Sequence, residues 1–212
     1  MKVFIVGSYQ NDYHRMFTTR GWKIVSELKD SDLVQFTGGE DVGPKLYGHA
    51  RHRLTRSNPV RDYMEQIVFH RARHENIPMA GICRGAQFLN VMCGGKMWQH
   101  SEGHTTGRHM VRDLIENFEF EATSTHHQIM MPHDEGLIVA VSNEATVKEK
   151  ASDAGVASFI TRYGKEDDPE VVYYMDQACL CFQPHPEFPT QKELQDIYFY
   201  YLEAYLELGV KY

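Results

Sequence analysis

The pentapeptide Gly81-Ile82-Cys83-Arg84-Gly85 joins a short apolar run, Pro78–Cys83, to a stretch of helical character, Ala86–Met92, which Gly94-Gly95 stops. It has the G-x-nucleophile-x-G form of a nucleophile elbow, with cysteine in the serine position. At a sharp strand-to-helix turn, side chains flanking the nucleophile would collide with neighbouring backbone, and glycine removes them. The Cys83 sulfur would lie near a helix N-terminus, whose partial positive charge favours thiolate over thiol. The same geometry leaves the Arg84 N–H free to donate to an oxyanion. Taken alone, the pentapeptide fits a small buried cysteine in a tight connection equally well.

Outward from this turn, apolar runs alternate with helical patterns, which favours an α/β fold: a mostly parallel sheet covered by helices. Lys2–Val6 reads as a first strand and Asp32–Phe36 as another, ending at Thr37-Gly38-Gly39. Tyr63–His74 carries Tyr63, Met64, Ile67 and Val68 at helical spacing, and Pro78 follows its end. Phe118–Ala122, Leu137–Val141, Val156–Ile160, Val171–Met175 and Ala178–Phe182 read as further strands, some antiparallel, with Gly164–Pro169 a turn between two of them. Thr190–Leu208 is a last helix with Leu194, Ile197, Tyr201, Ala204 and Leu208 on one stripe. No repeat, low-complexity tract or linker interrupts the pattern. The 212 residues are expected to form one domain with an ample core.

A net charge of −7 disfavours a nucleic-acid or membrane-surface binder, which is normally basic. The apolar start is too short for a signal peptide or a membrane span. Cys83, Cys93, Cys179 and Cys181 form no CxxC pair. With no secretion signal they read as thiols in a reducing, cytoplasmic compartment, one of them a candidate nucleophile. Cys179 and Cys181, two apart on a strand, would point to one face.

A cysteine nucleophile needs a nearby base, and the base needs an orienting group. Gln183-Pro184-His185-Pro186-Glu187 follows the apolar run Ala178–Phe182. In extended backbone, positions i and i+2 face the same way, so His185 and Glu187 can meet. Pro184 and Pro186 restrict the chain around the histidine. Alone, the segment is also a proline-rich surface turn. Together with the elbow it supplies nucleophile, base and acid in order, each at the end of an apolar run.

Further stretches belong with these two: Phe36-Thr37-Gly38-Gly39-Glu40-Asp41-Val42, Pro44, Tyr47-Gly48, Arg61-Asp62, Ala86-Gln87, Asn90-Val91, Gly94-Gly95 and His126-His127-Gln128. In this combination the chain resembles the class I (triad) glutamine amidotransferases over residues 33–188. More narrowly it resembles the γ-glutamyl-γ-aminobutyrate hydrolase branch, grouped with the γ-glutamyl hydrolase peptidases (peptidase C26). The resemblance implies a flavodoxin-like sheet with some additional antiparallel strands. It implies that Cys83 attacks the γ-carbonyl of glutamine or a γ-glutamyl amine, His185 shuttles the proton and Glu187 orients it. It further implies an oxyanion hole from the N–H groups of Gly39 and Arg84. Substrate contacts are implied for Gly38, Gln87, His126, His127 and Gln128. Pro184 departs from the family, whose members usually place an aromatic residue just before the catalytic histidine.

Twelve histidines invite a metal, particularly His100, His104, His109, His126, His127 and His133, but no HExxH or similar spacing accompanies them. The expectation is no metal and no cofactor. Arg51, Arg53, Arg56 and Arg61, with His49 and His52, form a basic stretch with no acidic residue before Asp62. The first three arginines are candidates for gripping an anionic part of the substrate, against the blander reading of a solvated loop. Tyr198, Phe199, Tyr200, Tyr201 and Tyr205 crowd the last helix; core packing is the stronger reading, and any surplus is a candidate homodimer contact.

Three functions compete. The first is a stand-alone hydrolase of a γ-glutamyl amide, acting through a thioester. The second is a glutaminase subunit that passes ammonia to a separate synthetase. The third is a non-enzymatic binding protein on the same fold, which the presence of all three triad residue types disfavours.

Overall fold

The computed structural model describes residues 1–8, 10–105, 107–142, 146–160 and 168–208. The first half runs Lys2–Val6 (β1), Gln10–Thr19 (α1), Lys23–Ile24 (β2), Leu33–Phe36 (β3), Pro59–His74 (α2), Met79–Ile82 (β4) and Arg84–Met92 (α3). Short strands follow at Lys96–Trp98 (β5) and His100–Glu102 (β6), then Arg108–Asp113 (β7), Glu119–Thr123 (β8), Ile129–Met131 (β9) and Leu137–Ser142 (β10). The remainder is Val147–Ser152 (β11), Gly155–Ile160 (β12), Asp168–Tyr174 (β13), Cys179–Phe182 (β14) and Lys192–Leu206 (α4).

The main sheet has the order β2-β1-β3-β4-β14-β13-β10-β7-β8. Strands β2, β1, β3, β4 and β14 are mutually parallel, and β13, β10, β7 and β8 add on antiparallel. This is the mostly parallel sheet with antiparallel additions that the sequence pattern leads one to expect. β3, β4 and β14 are buried along their whole length, as continuous apolar runs at the centre of a covered sheet should be. Side chains alternate between the two faces. Leu180 and Phe182 join a core with Tyr13 and Phe17 of α1 and Leu194, Tyr198 and Leu202 of α4. Cys179 and Cys181 face the other way, into a core with Phe69 and Ala72 of α2 and Phe88 and Leu89 of α3. Helices α1 and α4 therefore cover one face, and α2 and α3 the other.

Helix α2 starts where its chemistry dictates. The Asn58 side chain accepts from the N–H groups of Val60 and Arg61, and Pro59 occupies the first turn. Its apolar stripe does not mark its inner face, however. Tyr63, Met64 and Ile67 are exposed, while Arg61, Asp62 and Glu65 are buried with Phe69 and Ala72. The reason is electrostatic: this helix buries an ion network (below), and charge pairing replaces hydrophobicity as the inward signal. On α4, Ala204 is likewise exposed, and Tyr198, Phe199 and Leu202 extend the buried face. Tyr200 is the exposed member of the aromatic cluster.

β12 pairs with β11 in a three-stranded sheet with β6, apart from the main sheet. Of the expected turn Gly164–Pro169, residues 164–167 lie outside the described residues, and Asp168 and Pro169 already belong to β13. Among the described residues, no helix is long and apolar enough to cross a membrane.

Candidate active site

Three adjacent parallel strands end side by side. β3 leads into Thr37-Gly38-Gly39, β4 into Cys83, and β14 into Gln183-Pro184-His185. The carboxyl ends of parallel strands are where α/β sheets normally hold ligands.

Cys83 turns the chain from β4 into α3 with φ +51° and ψ −111°, a conformation that costs energy for any residue with a Cβ. The flanking glycines make the turn possible. A Cβ on Gly81 would stand 2.3 Å from the Gly85 carbonyl, and one on Gly85 would stand 2.3 Å from the Phe36 carbonyl. Gly39 is similarly constrained: its φ is +139°, and an added Cβ would meet the Arg61 guanidinium at 2.2 Å.

The His185 loop is fixed from three sides. Gln183 N–H donates to the Glu170 carbonyl at 2.8 Å and His185 N–H to Thr123 Oγ1 at 2.8 Å. Arg15 donates to the Glu187 carbonyl at 3.3 Å. His185 Nδ1 lies 2.6 Å from Glu187 Oε1. Among the groups that raise its affinity for a proton, Cys83 acts most strongly on this ring. A methyl placed on Gly38 would touch both His185 Cε1, at 3.2 Å, and Cys83 Cβ, at 3.8 Å. Burial, the largest single influence, favours the neutral imidazole, but Cys83 and then Glu187 outweigh it, raising His185 well above the ordinary histidine range. All three side chains border a cavity of about 360 Å³ shared with Gly38, Gly39 and Thr125.

Two aromatic residues complete this centre, and sequence reasoning missed both. The Tyr13 hydroxyl accepts from Gly38 N–H at 2.8 Å and donates to Glu187 Oε1 at 3.0 Å, tying the loop after β3 to the loop after β14. Phe188 stacks on His185, centroids 4.7 Å apart and planes inclined by 4°. The aromatic neighbour expected immediately before the histidine is thus supplied three residues after it.

Beneath the loop after β3 lies the buried ion network. Arg61 donates to the carbonyls of Thr37 and Gly38 at 2.9 and 3.0 Å and to Glu65 at 2.7 Å. The Arg84 side chain pairs with Asp62 and Glu65. Burial first, and Arg61 second, draw Arg84 down to about 10. Side chain and backbone of Arg84 thus face different tasks. Its guanidinium holds α2, while its N–H stands in the first turn of α3, where helix geometry offers no partner.

The remaining sequence candidates lie elsewhere. Gln87 is buried and donates to Gln128 O at 3.3 Å and Gln183 Oε1 at 3.1 Å. Gln128 donates to Gln99 O at 3.3 Å. The His127 ring meets Asp41 Oδ1 at 2.9 Å. His126 is buried with its Nε2 toward Glu170, 3.7 Å from Oε1. None of these four borders the cavity at Cys83, whereas Gly38 does. Arg51 donates to Thr55 O and lines a separate groove with Gly43, His49 and Asp62. Arg56 donates to Arg53 O. The three arginines are not part of the Cys83 cavity wall.

A cysteine, an imidazole and a carboxylate thus line one cavity at a strand–helix corner. The peptidase C26 family model matches residues 20–149, more than half of the chain. The chain belongs to the peptidase C26 family. The matched region contains Cys83 and ends before His185. Among relatives of this C26 protein, the glutamine amidotransferase-like protein YvdE of Lactococcus lactis is 27% identical over 165 residues, spanning 76% of this chain and 68% of that protein. The carbamoyl phosphate synthase small chain of Thermotoga maritima is 29% identical over 126 residues, 53% of this chain and 32% of that one. The likeness to solved structures is one of fold. A glutamine amidotransferase from Thermotoga maritima superposes with a TM-score of 0.63 at 14% identity, covering 99% of this chain and 86% of that chain. A chain of PurLQS from the same organism gives 0.63 at 17% identity, covering 94% and 98%. The C26 chain thus has the flavodoxin-like fold of the class I glutamine amidotransferases.

Proposed function

We propose that this protein is a cysteine-dependent amidohydrolase that cleaves the γ-amide of glutamine or a γ-glutamyl amine, with Cys83, His185 and Glu187 as its triad. One observation carries the reading: a buried imidazole bonded to a carboxylate borders the same cavity as a strained elbow cysteine. In this reaction the Cys83 thiolate adds to the γ-carbonyl carbon, and the oxygen takes up negative charge. The N–H groups of Gly39 and Arg84 donate to that oxygen; the Gly38 N–H is already engaged by Tyr13. The C–N bond breaks as His185 passes its proton to the departing nitrogen, leaving a γ-glutamyl thioester on Cys83. Water then adds to the thioester with His185 taking its proton, and the C–S bond breaks to release glutamate and restore the thiolate. Glu187 holds the ring orientation throughout, and Tyr13 and Phe188 hold Glu187 and His185.

A second reading rests on the named relatives. A carbamoyl phosphate synthase small chain and a chain of PurLQS share sequence or fold with this protein. In that case the same thioester chemistry on glutamine delivers ammonia to a separate synthetase polypeptide. A panel of γ-glutamyl amines and glutamine, assayed for glutamate release with wild-type and Cys83→Ala protein, separates the outcomes. Turnover of a γ-glutamyl amine without a partner, lost at least about a thousandfold in Cys83→Ala, supports the hydrolase. Glutaminase activity that appears only with a synthetase supports the second reading. Equal turnover by both proteins contradicts the triad.

A further inference from the structure

Behind the wall of the Cys83 cavity, four non-contiguous segments bring three histidines and a glutamate together. His109 Nε2, His104 Nδ1 and His126 Nε2 approach the same oxygen, Glu170 Oε1, at 3.0, 3.6 and 3.7 Å. The ligand atoms of His104, His109 and Glu170 all lie within 4.8 Å of one another. Glu170 is fully buried, and neither its oxygens nor His126 Nε2 makes a hydrogen bond of normal geometry. A carboxylate buried there needs a cation beside it, supplied either by a protonated His109 at 3.0 Å or by a metal ion held among the ring nitrogens.

The far sides of two rings show how the nitrogens are set. His126 Nδ1 is 2.9 Å from the Gln128 carbonyl, which can only accept, so the proton sits on Nδ1 and the Nε2 lone pair faces Glu170. His104 Nε2 is 3.0 Å from Asp168 Oδ2, so its proton points to that carboxylate and its Nδ1 lone pair faces inward. The Ser124 hydroxyl reaches the same Nδ1 at 3.4 Å, the long limit of a hydrogen bond. Asp168 is itself held by Lys148 and Thr146, at 2.5 and 2.6 Å. Imidazoles whose outer N–H is donated to a carboxylate or a carbonyl are the usual second layer of a metal site. The spacing within His104, His109 and Glu170 is compatible with one ion, while His126 Nε2, 3.7 Å from Glu170 Oε1, stands just outside that group. Ligands about 2.0–2.1 Å from a tetrahedral ion stand about 3.4 Å from one another.

We propose that His104, His109, His126 and Glu170 bind one divalent transition-metal ion of the zinc type. The donor set, three imidazoles and one carboxylate, suits zinc, cobalt or nickel and disfavours magnesium or calcium. The protein supplies every ligand, His126 by a short approach from its place 3.7 Å from Glu170 Oε1, which closes the site and makes it structural. The ion ties the segment after β6, strand β7, the segment after β8 and strand β13. That segment after β8 begins beside Thr123, which holds the His185 N–H, and contains Thr125 of the cavity wall. The site stands independently of the proposed amide chemistry.

The test is a cobalt titration of chelator-treated protein, with folding followed by circular dichroism. One equivalent of Co²⁺ should bind, giving the visible d–d bands of a four-coordinate nitrogen/oxygen site and no thiolate-to-cobalt charge transfer, and Zn²⁺ should displace it. Zn²⁺ at about a hundredfold excess over its Kd should raise Tm by about 5–10 °C. Loss of fold on chelation, reversed by Zn²⁺, also supports the site. The isosteric Glu170→Gln and the variant His126→Gln should abolish stoichiometric binding, and Asp168→Asn should weaken it about 10–100-fold. His100→Ala, outside the cluster, should bind as wild type. Absence of cobalt binding by the folded wild-type chain overturns the proposal. So do thiolate charge-transfer bands, or binding unchanged in both Glu170→Gln and His126→Gln; the cluster is then a protonated histidine–carboxylate pair.

Discussion

Phe188 lies flat against His185, its ring 4.7 Å from the imidazole and tilted by 4°. The stack fixes the face of the ring that the Glu187 hydrogen bond leaves free to rotate. A contact of this kind is worth about 0.5–1.5 kcal/mol. Phe188→Ala should therefore lower kcat/KM for a γ-glutamyl substrate by roughly 2–13-fold, while Phe188→Tyr retains most of it. Steady-state kinetics decide; an alanine variant as active as wild type contradicts a positioning role.

Tyr13 links the loops after β3 and β14 through one hydroxyl. Tyr13→Phe leaves the Gly38 N–H and a Glu187 oxygen without that partner in a buried site, at a cost of about 1–3 kcal/mol. Urea unfolding should register this loss, and kcat should fall about tenfold as Glu187 loosens its hold on His185. Unchanged stability together with unchanged kcat contradicts it.

The His185 ring is held protonated above its ordinary range, against burial, by Cys83 first and Glu187 second. A raised folded-state pKa means that the pairing contributes stability fully present below the unfolded value of about 6.5, and lost as pH rises through the folded value. Cys83→Ala removes the principal raising charge, so the His185 Cε1–H resonance should titrate at lower pH than in wild type. An unmoved midpoint contradicts the Cys83–His185 pairing.

The Arg84 guanidinium serves α2 through Asp62 and Glu65, apart from its own N–H. Arg84→Met leaves two buried carboxylates short of a partner, and breaking a buried pair from one side costs about 3–5 kcal/mol. Chemical denaturation should show that loss, while the folded fraction keeps its backbone donor and its turnover. A destabilisation below about 1 kcal/mol contradicts the network's structural weight.

Much of this centre could be read from residue order because its constraints are local. Glycines 81 and 85 are required by backbone approaches of 2.3 Å, and a requirement that sharp leaves a pattern in sequence. His185 and Glu187 are two residues apart on extended chain, so their meeting needs no long-range knowledge. What escaped notice depends on tertiary contact. Tyr13 sits 174 residues from Glu187, and nothing in its own neighbourhood marks it. Phe188 was findable: once Pro184 is seen to lack the expected aromatic ring, the next ring along the chain is three residues past His185. Helix α2 misled because its inner face carries Arg61, Asp62 and Glu65, and periodicity of apolar residues cannot register a buried ion network. The histidines of the 104–126 region carry no linear metal spacing because their fourth member, Glu170, arrives from a different strand.

The most direct measurement is intact-mass and peptide analysis of protein mixed with glutamine or a γ-glutamyl amine and quenched in acid. A γ-glutamyl group should be found on Cys83 in the wild-type protein and on none of Cys93, Cys179 or Cys181. It should be absent from Cys83→Ala. A substrate that is demonstrably hydrolysed with no acyl group ever trapped on Cys83, or with turnover surviving Cys83→Ala, contradicts the account.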